Sequence, residues 1–200
     1  MESFWSMEHS SIQPPLRFSE GTEHIWDGLA KIPRTGWVQW GIPNPGTVAE
    51  HVFAVRQLAV AWRRDIELSD IEFDDLLAIV EVHDWPEVIV GDLVIMGDEH
   101  NVIELRNSKR DKEKAAMQDL CREIPRGAEA LALYGRYEMN ADLPAQYAKQ
   151  LDKMQAVLLA REYQEKFQKE GLLKEFVIYT ERYLDIPFLV DQLEKIKADI

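Results

Sequence analysis

The 200-residue sequence contains a single cysteine, Cys121, which excludes an internal disulfide and any zinc site built from paired cysteines. No apolar run approaches the roughly 18 residues that a membrane-spanning helix needs, and the first residues lack the basic and apolar regions of a signal peptide. A lone thiol without a targeting signal predicts a cytoplasmic protein with no membrane partner. The sequence also has no glycine-rich phosphate loop, Walker motif or Gly-x-Ser-x-Gly turn, which disfavours kinases, P-loop NTPases and serine hydrolases.

Positive charge is scarce as well. The 23 Lys and Arg residues are outnumbered by 36 Asp and Glu residues, so the formal net charge is −13. Such a chain repels polyphosphate backbones, and we expect no nucleic-acid polymer among its partners. A small anionic substrate would need a local cation, either a metal ion or a placed arginine. The hydrophobic share of 46% is ordinary for a globular protein, and the length fits one domain.

Strand signals are marginal, because alternating Val/Ile/Thr runs and Asn-Gly or Asp-Gly turns are missing. Helix signals are strong in comparison. Thr47 with Glu50, and Ser69 with Glu72, each have the spacing of a capping box, in which each side chain bonds the other residue's backbone N–H. Apolar residues recur at three- and four-residue steps behind both boxes. The sequence therefore predicts an all-α protein.

Composition and the remaining helix signals divide the chain into an N-terminal arm and a helical domain. Residues 1–22 are rich in Ser, Pro and isolated aromatics and are expected to form an N-terminal tail or arm laid across the body. Residues 23–200 are expected to form the domain, with a motif-bearing core at about 24–170 and C-terminal helices at 171–200. Beyond the two capped helices, the expected helices cover 108–123, 128–138, 142 to about 169, 176–184 and 187–197.

Four polar residues stand out at the predicted helices. His51 lies in the first turn behind a capping box, and His83 and Asp84 stand where the next helix ends, before Pro86. Asp152 has mostly small or apolar neighbours at helical spacing, which places it on or beside a buried stripe. An ionised carboxylate there needs a partner, because Asp is almost never fully buried alone.

A divalent cation would satisfy that need. Two imidazoles and two carboxylates suit Mn, Fe, Co, Mg or Zn, and four protein ligands on a six-coordinate ion leave two positions for water and substrate. The sequence therefore predicts one divalent metal ion of unspecified identity, held by His51, His83, Asp84 and Asp152.

The order His…His-Asp…Asp resembles that of the HD-domain metal-dependent phosphohydrolases. The resemblance extends over roughly residues 24–170 and is closest to the 5′-deoxynucleotidase branch, of the bacterial YfbR type and the HD-domain-containing protein 2 type. It rests on five segments in the right order: 33–37 (PRTGW), 48–51 (VAEH), 83–87 (HDWPE), 91–92 (GD) and 150–153 (QLDK). It implies a single HD-domain helical bundle that removes the 5′-phosphate from deoxynucleoside monophosphates with a metal-activated water, and that forms a homodimer.

The same resemblance implies roles for four further residues. Glu87 would act on the water nucleophile or the leaving oxygen, and Asp92 would orient water or substrate. Arg34 would bind the phosphate through a planar guanidinium that matches two oxygens, and Trp37 would pack beside the nucleoside.

Simpler interpretations remain open for several of these residues. Glu87 could complement a helix dipole and Asp92 could cap a helix, while Arg34 could pair with any surface acid. Trp37 and Trp40 could be core aromatics, and for Trp40 that is the preferred interpretation. The charged run at 109–114 is most simply a solvated face, although a basic residue there could touch a nucleotide.

Other functions also remain open. The chain could be another HD phosphohydrolase that acts on a cyclic nucleotide or a small phosphate ester. It could also be a non-catalytic nucleotide sensor that keeps the metal. An HD oxygenase would need two irons and further histidines, and the sequence offers no spare histidine beside the four ligands.

Overall fold

The computed structural model describes residues 15–94, 100–198 and 200, without the side chains of residues 100–102. The first 14 residues of the predicted arm lie outside this range. Within it, no helix has the length and apolar character needed to cross a membrane. The helices are α1 (Glu23–Leu29), α2 (Thr35–Gln39), α3 (Val48–Ala61), α4 (Asp70–Val82), α5 (Glu87–Val90), α6 (His100–Glu123), α7 (Gly127–Met139), α8 (Leu143–Phe167), α9 (Leu172–Glu181) and α10 (Pro187–Lys197). The prediction of an all-α bundle is confirmed.

Local capping determines where the long helices begin. In α3 the Thr47 backbone N–H donates to the Glu50 carboxylate at 2.7 Å, and the Glu50 N–H donates to the Thr47 hydroxyl at 3.3 Å. The second predicted capping box opens α4 in the same way. At the start of α8 the Asp142 carboxylate accepts the Ala145 N–H at 3.1 Å. All three predicted helix starts are confirmed, because each depends on residues only three positions apart.

The predicted bounds of two helices are wrong. Helix α6 starts at His100 and not at 108, because its first turns expose apolar side chains such as Ile103 and Leu105 and lack the buried stripe that predicts a helix. Helix α9 spans Leu172–Glu181 and not 176–184. It follows Gly171, whose φ of 85° is left-handed and favours glycine, so the chain turns there before Leu172 and Leu173 enter the core.

Helix α8 is the centre of the bundle and packs against α3, α4, α7, α9 and α10. Its apolar stripe, including Leu151, Met154 and Val157, is fully buried. Burial of each such side chain stabilises the fold by about 1.5–3 kcal/mol. Helices α3, α4 and α8 therefore form a rigid frame for the polar residues that they carry.

The described part of the arm, residues 15–22, packs against the end of α4. The Glu81 carboxylate accepts the backbone N–H groups of Arg17 at 2.8 Å and Phe18 at 2.9 Å. The Phe18 ring is buried and meets the edge of Trp85 at a centroid distance of 5.7 Å. The arm thus supports, from outside, the segment that leads from α4 into α5.

Candidate metal centre

The structure brings the four predicted metal ligands together. His51 lies in the first turn of α3, His83 and Asp84 follow α4 directly, and Asp152 lies in the middle of α8. The Nε2 atom of His51 is 3.1 Å from an Asp152 oxygen and 3.6 Å from an Asp84 oxygen, and the Nε2 atom of His83 is 3.3 Å from the same Asp84 oxygen. Three separate helical segments therefore converge on one small volume.

Three of the four predicted ligands lie close together, and the fourth, Asp152, lies beside them. Ligand atoms of His51, His83 and Asp84 all lie within 4.8 Å of one another, a spacing that could hold a metal ion. Asp152 joins this group through its contact with His51 and is 6% exposed. The set combines imidazole nitrogens with carboxylate oxygens, the chemistry that divalent first-row metals accept.

The two imidazoles show the clearest sign of a binding site. The Nδ1 atom of His51 donates to the Gln155 side-chain oxygen at 2.8 Å, and the Nδ1 atom of His83 donates to the Val80 carbonyl at 2.7 Å. These outer contacts fix the tautomer and direct each Nε2 lone pair inward. In this tautomer each Nε2 atom carries only a lone pair, to which the nearby carboxylate oxygens cannot donate. Both Nε2 atoms are therefore buried without a hydrogen-bond partner. Because buried polar atoms are normally paired, the two lone pairs fit a missing ligand such as a metal ion.

The electrostatics favour the metal-binding forms of these groups. Burial, and then the charge of Arg34, lower the pKa of His51, so the imidazole stays neutral. Burial alone would raise the pKa of Asp84, but His83 and Arg34 outweigh it and lower that pKa. The pKa of Asp152 is also lowered despite burial, chiefly because Lys153 donates to it at 2.7 Å. The neutral imidazole of His51 thus faces ionised carboxylates.

Arg34 lies beside this cluster, directly before α2. Its guanidinium is 3.2 Å from Asp84, 3.9 Å from Glu87 and 3.7 Å from Asp92. The Arg34 backbone N–H donates to the Gly46 carbonyl at 3.0 Å, which ties this segment to the start of α3. The structure therefore places Arg34 among the acids of the site and not among those of the outer surface.

Asp92 and Glu87 occupy the same wall but differ in their contacts. Asp92 accepts the Thr35 backbone N–H at 2.7 Å, which secures the first residue of α2 beside Arg34. Glu87 begins α5, is 4% exposed, and has one carboxylate oxygen buried without a hydrogen-bond partner. Burial, followed by the charges of Asp84 and Asp92, raises the pKa of Glu87 well above its ordinary value.

Trp37 is both a core residue and part of the site. Its ring stacks on Phe176 at a centroid distance of 4.4 Å and meets the edge of Tyr163 at 5.2 Å. The predicted core residue Trp40 is only partly buried, and its indole N–H donates to Glu175 at 3.4 Å. Both tryptophans line the cavity that opens over the candidate metal site, and Phe176 adds an aromatic ring from α9 to the same wall.

This cavity has a volume of about 860 Å³, and most of the predicted site residues line it. Arg34, Trp37 and Glu87 are among those that line it, together with His83, Asp84, Asp92 and Asp152. A cavity of this size accommodates a small organic ligand. It lies between α2, α6, α7, α8 and α9, directly above the candidate metal site.

Sequence reasoning missed three residues that support the cluster. Tyr137 donates its hydroxyl to Asp152 at 3.3 Å, and its ring lies 5.1 Å from that of His83. Gln155 orients His51, and Lys153 holds the second Asp152 oxygen. The three-residue step from Asp152 to Gln155 on one helix was the available signal, because such residues share a face.

The fold is a helical bundle, and its site is a set of His and Asp side chains that converge under a cavity. Both features agree with the following comparisons with known proteins. The family model described as HD domain matches residues 26–186. The 5′-deoxynucleotidase HDDC2 of Xenopus laevis is 31% identical over 150 residues, which are 74% of this chain and 70% of that protein. The bovine 5′-deoxynucleotidase HDDC2 is 29% identical over 173 residues, 86% of this chain and 80% of that protein.

Solved structures agree with this comparison. A conserved hypothetical protein from Pyrococcus furiosus matches with a TM-score of 0.66 and 26% identity, over 87% of this chain and 96% of that one. Since the family model covers most of the chain, the protein belongs to the HD-domain family.

Proposed function

We propose that this protein is a metal-dependent 5′-deoxynucleotidase, which hydrolyses the 5′-phosphate of deoxynucleoside monophosphates. The single observation that carries the proposal is the pair of buried, unpartnered Nε2 atoms of His51 and His83, facing Asp84 at the base of the cavity. The curated relatives named above as 5′-deoxynucleotidases support the substrate class.

His51, His83, Asp84 and Asp152 would hold the divalent ion. When bound, such an ion would neutralise phosphate charge and lower the pKa of water at the site. Gln155 and the Val80 carbonyl keep the two imidazoles oriented toward that position. These outer contacts hold each imidazole in the orientation that metal binding requires.

Arg34 would bind the phosphate group. Its planar guanidinium lies among Asp84, Glu87 and Asp92, so its charge is held at the metal cluster before substrate arrives. The burial of Arg34 strengthens its attraction to a dianion, since water screens the charge less. Asp92 would orient water or substrate, and through the Thr35 N–H it also keeps the Arg34 segment in place.

Glu87 would exchange the proton that hydrolysis requires. One of its carboxylate oxygens has no hydrogen-bond partner although it is buried, and the side chain lines the cavity beside Asp84. A group in this position can accept a proton from water or donate one to the leaving 5′ oxygen. Its loss should slow turnover while leaving the four metal ligands in place.

Trp37 would pack beside the nucleoside. Its ring is held by Phe176 and Tyr163, so it offers a preformed apolar surface at the rim of the phosphate site.

The proposal also includes a single domain at 23–200 preceded by an arm, a cytoplasmic location and a homodimer. The net charge of −13 supports a small nucleotide over a nucleic-acid polymer.

The test is a phosphate-release assay on purified protein that is stripped of metal and reloaded with Co, Mn, Mg, Zn or Fe. Deoxynucleoside 5′-monophosphates should be hydrolysed only after reloading, and faster than ribonucleotides. Hydrolysis of cyclic nucleotides alone would instead indicate another HD phosphohydrolase. Inactivity with every metal, together with retained nucleotide binding, would indicate a sensor.

A Glu87→Gln variant tests the proposed proton transfer. Its rate should fall by about 10²- to 10⁴-fold, the usual contribution of a general acid or base, while its metal content matches that of the wild type. Full activity of this variant would remove Glu87 from the mechanism.

A further inference from the structure

Helices α6 and α7 contribute a polar wall to the cavity that the proposed mechanism does not use. We call Lys109, Glu113 and Tyr134 the α6–α7 wall, and all three line the cavity together with Asp84 and Glu87. The Lys109 ammonium is 3.3 Å from the Glu113 carboxylate, one helical turn away, and the two side chains are 26% and 15% exposed. The charged run at 109–114 is therefore not wholly a solvated face.

The Tyr134 hydroxyl in this wall lacks a hydrogen-bond partner. The residue is 3% exposed, and its hydroxyl is buried without a hydrogen-bond partner. A tyrosine hydroxyl in such a position normally finds a partner. Since Tyr134 lines the cavity, the missing partner fits a ligand that occupies the cavity.

The α6–α7 wall lies close to the reacting end of the cavity. Helix α5, which begins with Glu87, packs against α6, and α6 packs against α7. The charge of Lys109 reaches Glu87, whose pKa it lowers against the stronger effects of burial and of Asp84. Tyr137, one turn beyond Tyr134, touches the metal ligand Asp152. These contacts place the wall beside the phosphate position and not at a remote end.

The cations already placed at the phosphate position are engaged with acids, which leaves a role for a further cation. Asp84, Asp92 and Asp152 already surround the position where a phosphate dianion would enter. Arg34 is shared among three acids, and Lys153 is bound to Asp152 at 2.7 Å. The proposed metal ion would offset part of this negative charge. A further cation that turned toward the phosphate would strengthen the attraction for the dianion.

Lys109 is a cation of the α6–α7 wall that can do so at small cost. Its pairing with Glu113 is a partly exposed contact between residues four apart, a type that contributes little to stability. Its ammonium stands on a flexible stem and can exchange one acceptor for another. A phosphate oxygen with a full charge would compete well with a carboxylate that is already partly solvated.

We propose that Lys109 is a second phosphate-binding cation beside Arg34, and that its ammonium exchanges the Glu113 carboxylate for a phosphate oxygen when substrate binds. The Tyr134 hydroxyl donates a hydrogen bond to the same phosphate group. This inference rests on the proposed function for its substrate. It adds two substrate-binding residues that lie on α6 and α7, outside the segments that identify the family.

The test compares Lys109→Met and Lys109→Gln with Lys112→Met, a matched control on an exposed position of the same helix. Inorganic phosphate is the probe, used both as an inhibitor of deoxynucleotide hydrolysis and as a ligand in a thermal-shift titration of the metal-loaded protein. Loss of a hydrogen bond to a charged group should weaken phosphate binding by about 10- to 100-fold and raise KM similarly. Tyr134→Phe should weaken it severalfold, and Lys109→Arg should restore much of the affinity.

The outcomes separate this inference from the proposed function. Unchanged phosphate affinity in both Lys109 variants, or an equal loss in Lys112→Met, would overturn it. If the wild type hydrolyses no nucleotide, the proposed function fails, yet the phosphate titration still decides whether Lys109 binds the anion. Metal content must stay equal among the variants, since a loss of metal would assign Lys109 a structural role and contradict the proposal.

Discussion

Two buried charged clusters lie on the same pair of helices, α3 and α4, and they differ in how their polar atoms are satisfied. In the first, Arg56 lies 3.5 Å from Glu81 and donates to the Leu77 carbonyl at 2.6 Å. Both Glu81 oxygens also accept backbone N–H groups, from Arg17 and Phe18. Every oxygen of this carboxylate is therefore occupied by the protein itself.

The second cluster lies nearby on the same helices but is incomplete. His51 is five residues before Arg56 on α3, and His83 is two residues after Glu81 at the end of α4. Their Nε2 atoms are as deeply buried, yet they have no hydrogen-bond partner. The comparison shows that burial of charge alone does not mark a functional site. What distinguishes the second cluster is that the protein orients two buried imidazoles and leaves both Nε2 atoms unpaired, facing carboxylates.

The largest expected effect comes from removing a carboxylate of the second cluster. Asp84→Ala should abolish metal binding and lower phosphatase activity by about 10³-fold or more, because the ion contributes several kcal/mol to the transition state. Its stability without metal should change by only about 1 kcal/mol, since the Arg34–Asp84 pair is partly exposed. Metal analysis and urea unfolding of the stripped protein measure both quantities. Retained metal with retained activity would contradict the assignment.

The first cluster should respond in the opposite way. Glu81→Ala leaves Arg56 without its buried carboxylate and removes the acceptor of two arm N–H groups, so stability should fall by about 3–5 kcal/mol. Urea unfolding of the metal-free protein is the measurement, because bound metal would mask the loss. The control is Glu81→Gln, which keeps an acceptor and should lose less. Equal stability of Glu81→Ala and wild type would remove the contrast between the clusters.

A smaller effect is expected at the outer contact of His51. Gln155→Leu removes the acceptor for the His51 Nδ1–H group, so metal affinity should fall by about 10- to 100-fold. Gln155→Glu keeps an acceptor and should retain the affinity. Competition with a chelating dye measures the difference. If Gln155→Leu binds metal as tightly as wild type, the imidazole does not depend on this contact for its orientation.

The smallest effect concerns Asp75, a partly exposed acid that, like Glu81, contacts the arm. Asp75 pairs with Arg17 of the arm at 2.9 Å and with Arg136 at 2.7 Å. Burial would raise the pKa of Asp75, but these two arginines lower it overall. The stabilisation is therefore present above the unfolded pKa of about 3.9 and is lost as pH falls through the lower folded pKa.

This relation gives a pH-dependent prediction for Asp75→Asn. At pH 7 the variant should be less stable by about 1 kcal/mol, as for other partly exposed ion pairs. The difference should shrink below pH 4, where the wild-type carboxylate also becomes neutral. Unfolding measured from pH 7 to pH 3 tests this, and a difference that grows toward low pH would contradict it.

Much of the helical frame, and the convergence of His51, His83 and Asp84 at the candidate metal site, could be predicted from the sequence. Thr47 with Glu50 and Ser69 with Glu72 act over three residues, so local spacing was enough to place the starts of α3 and α4. Asp152 was expected near a buried stripe because its helical neighbours are apolar, and it is indeed buried.

The rest depends on contacts between distant residues. The link from Phe18 to Glu81 joins residues 63 apart, and that from His51 to Gln155 joins residues 104 apart. No helical period reveals such pairs. The short helices α1, α2 and α5 were also missed, because a few residues carry too little periodicity to predict a helix.

X-ray diffraction from crystals of the metal-loaded protein, with anomalous data at the absorption edge of the ion, tests the central claim most directly. We expect one anomalous peak at about 2.0–2.3 Å from the Nε2 atoms of His51 and His83 and from oxygens of Asp84 and Asp152. A peak elsewhere, or none at these four side chains with metal in excess, would contradict the assignment.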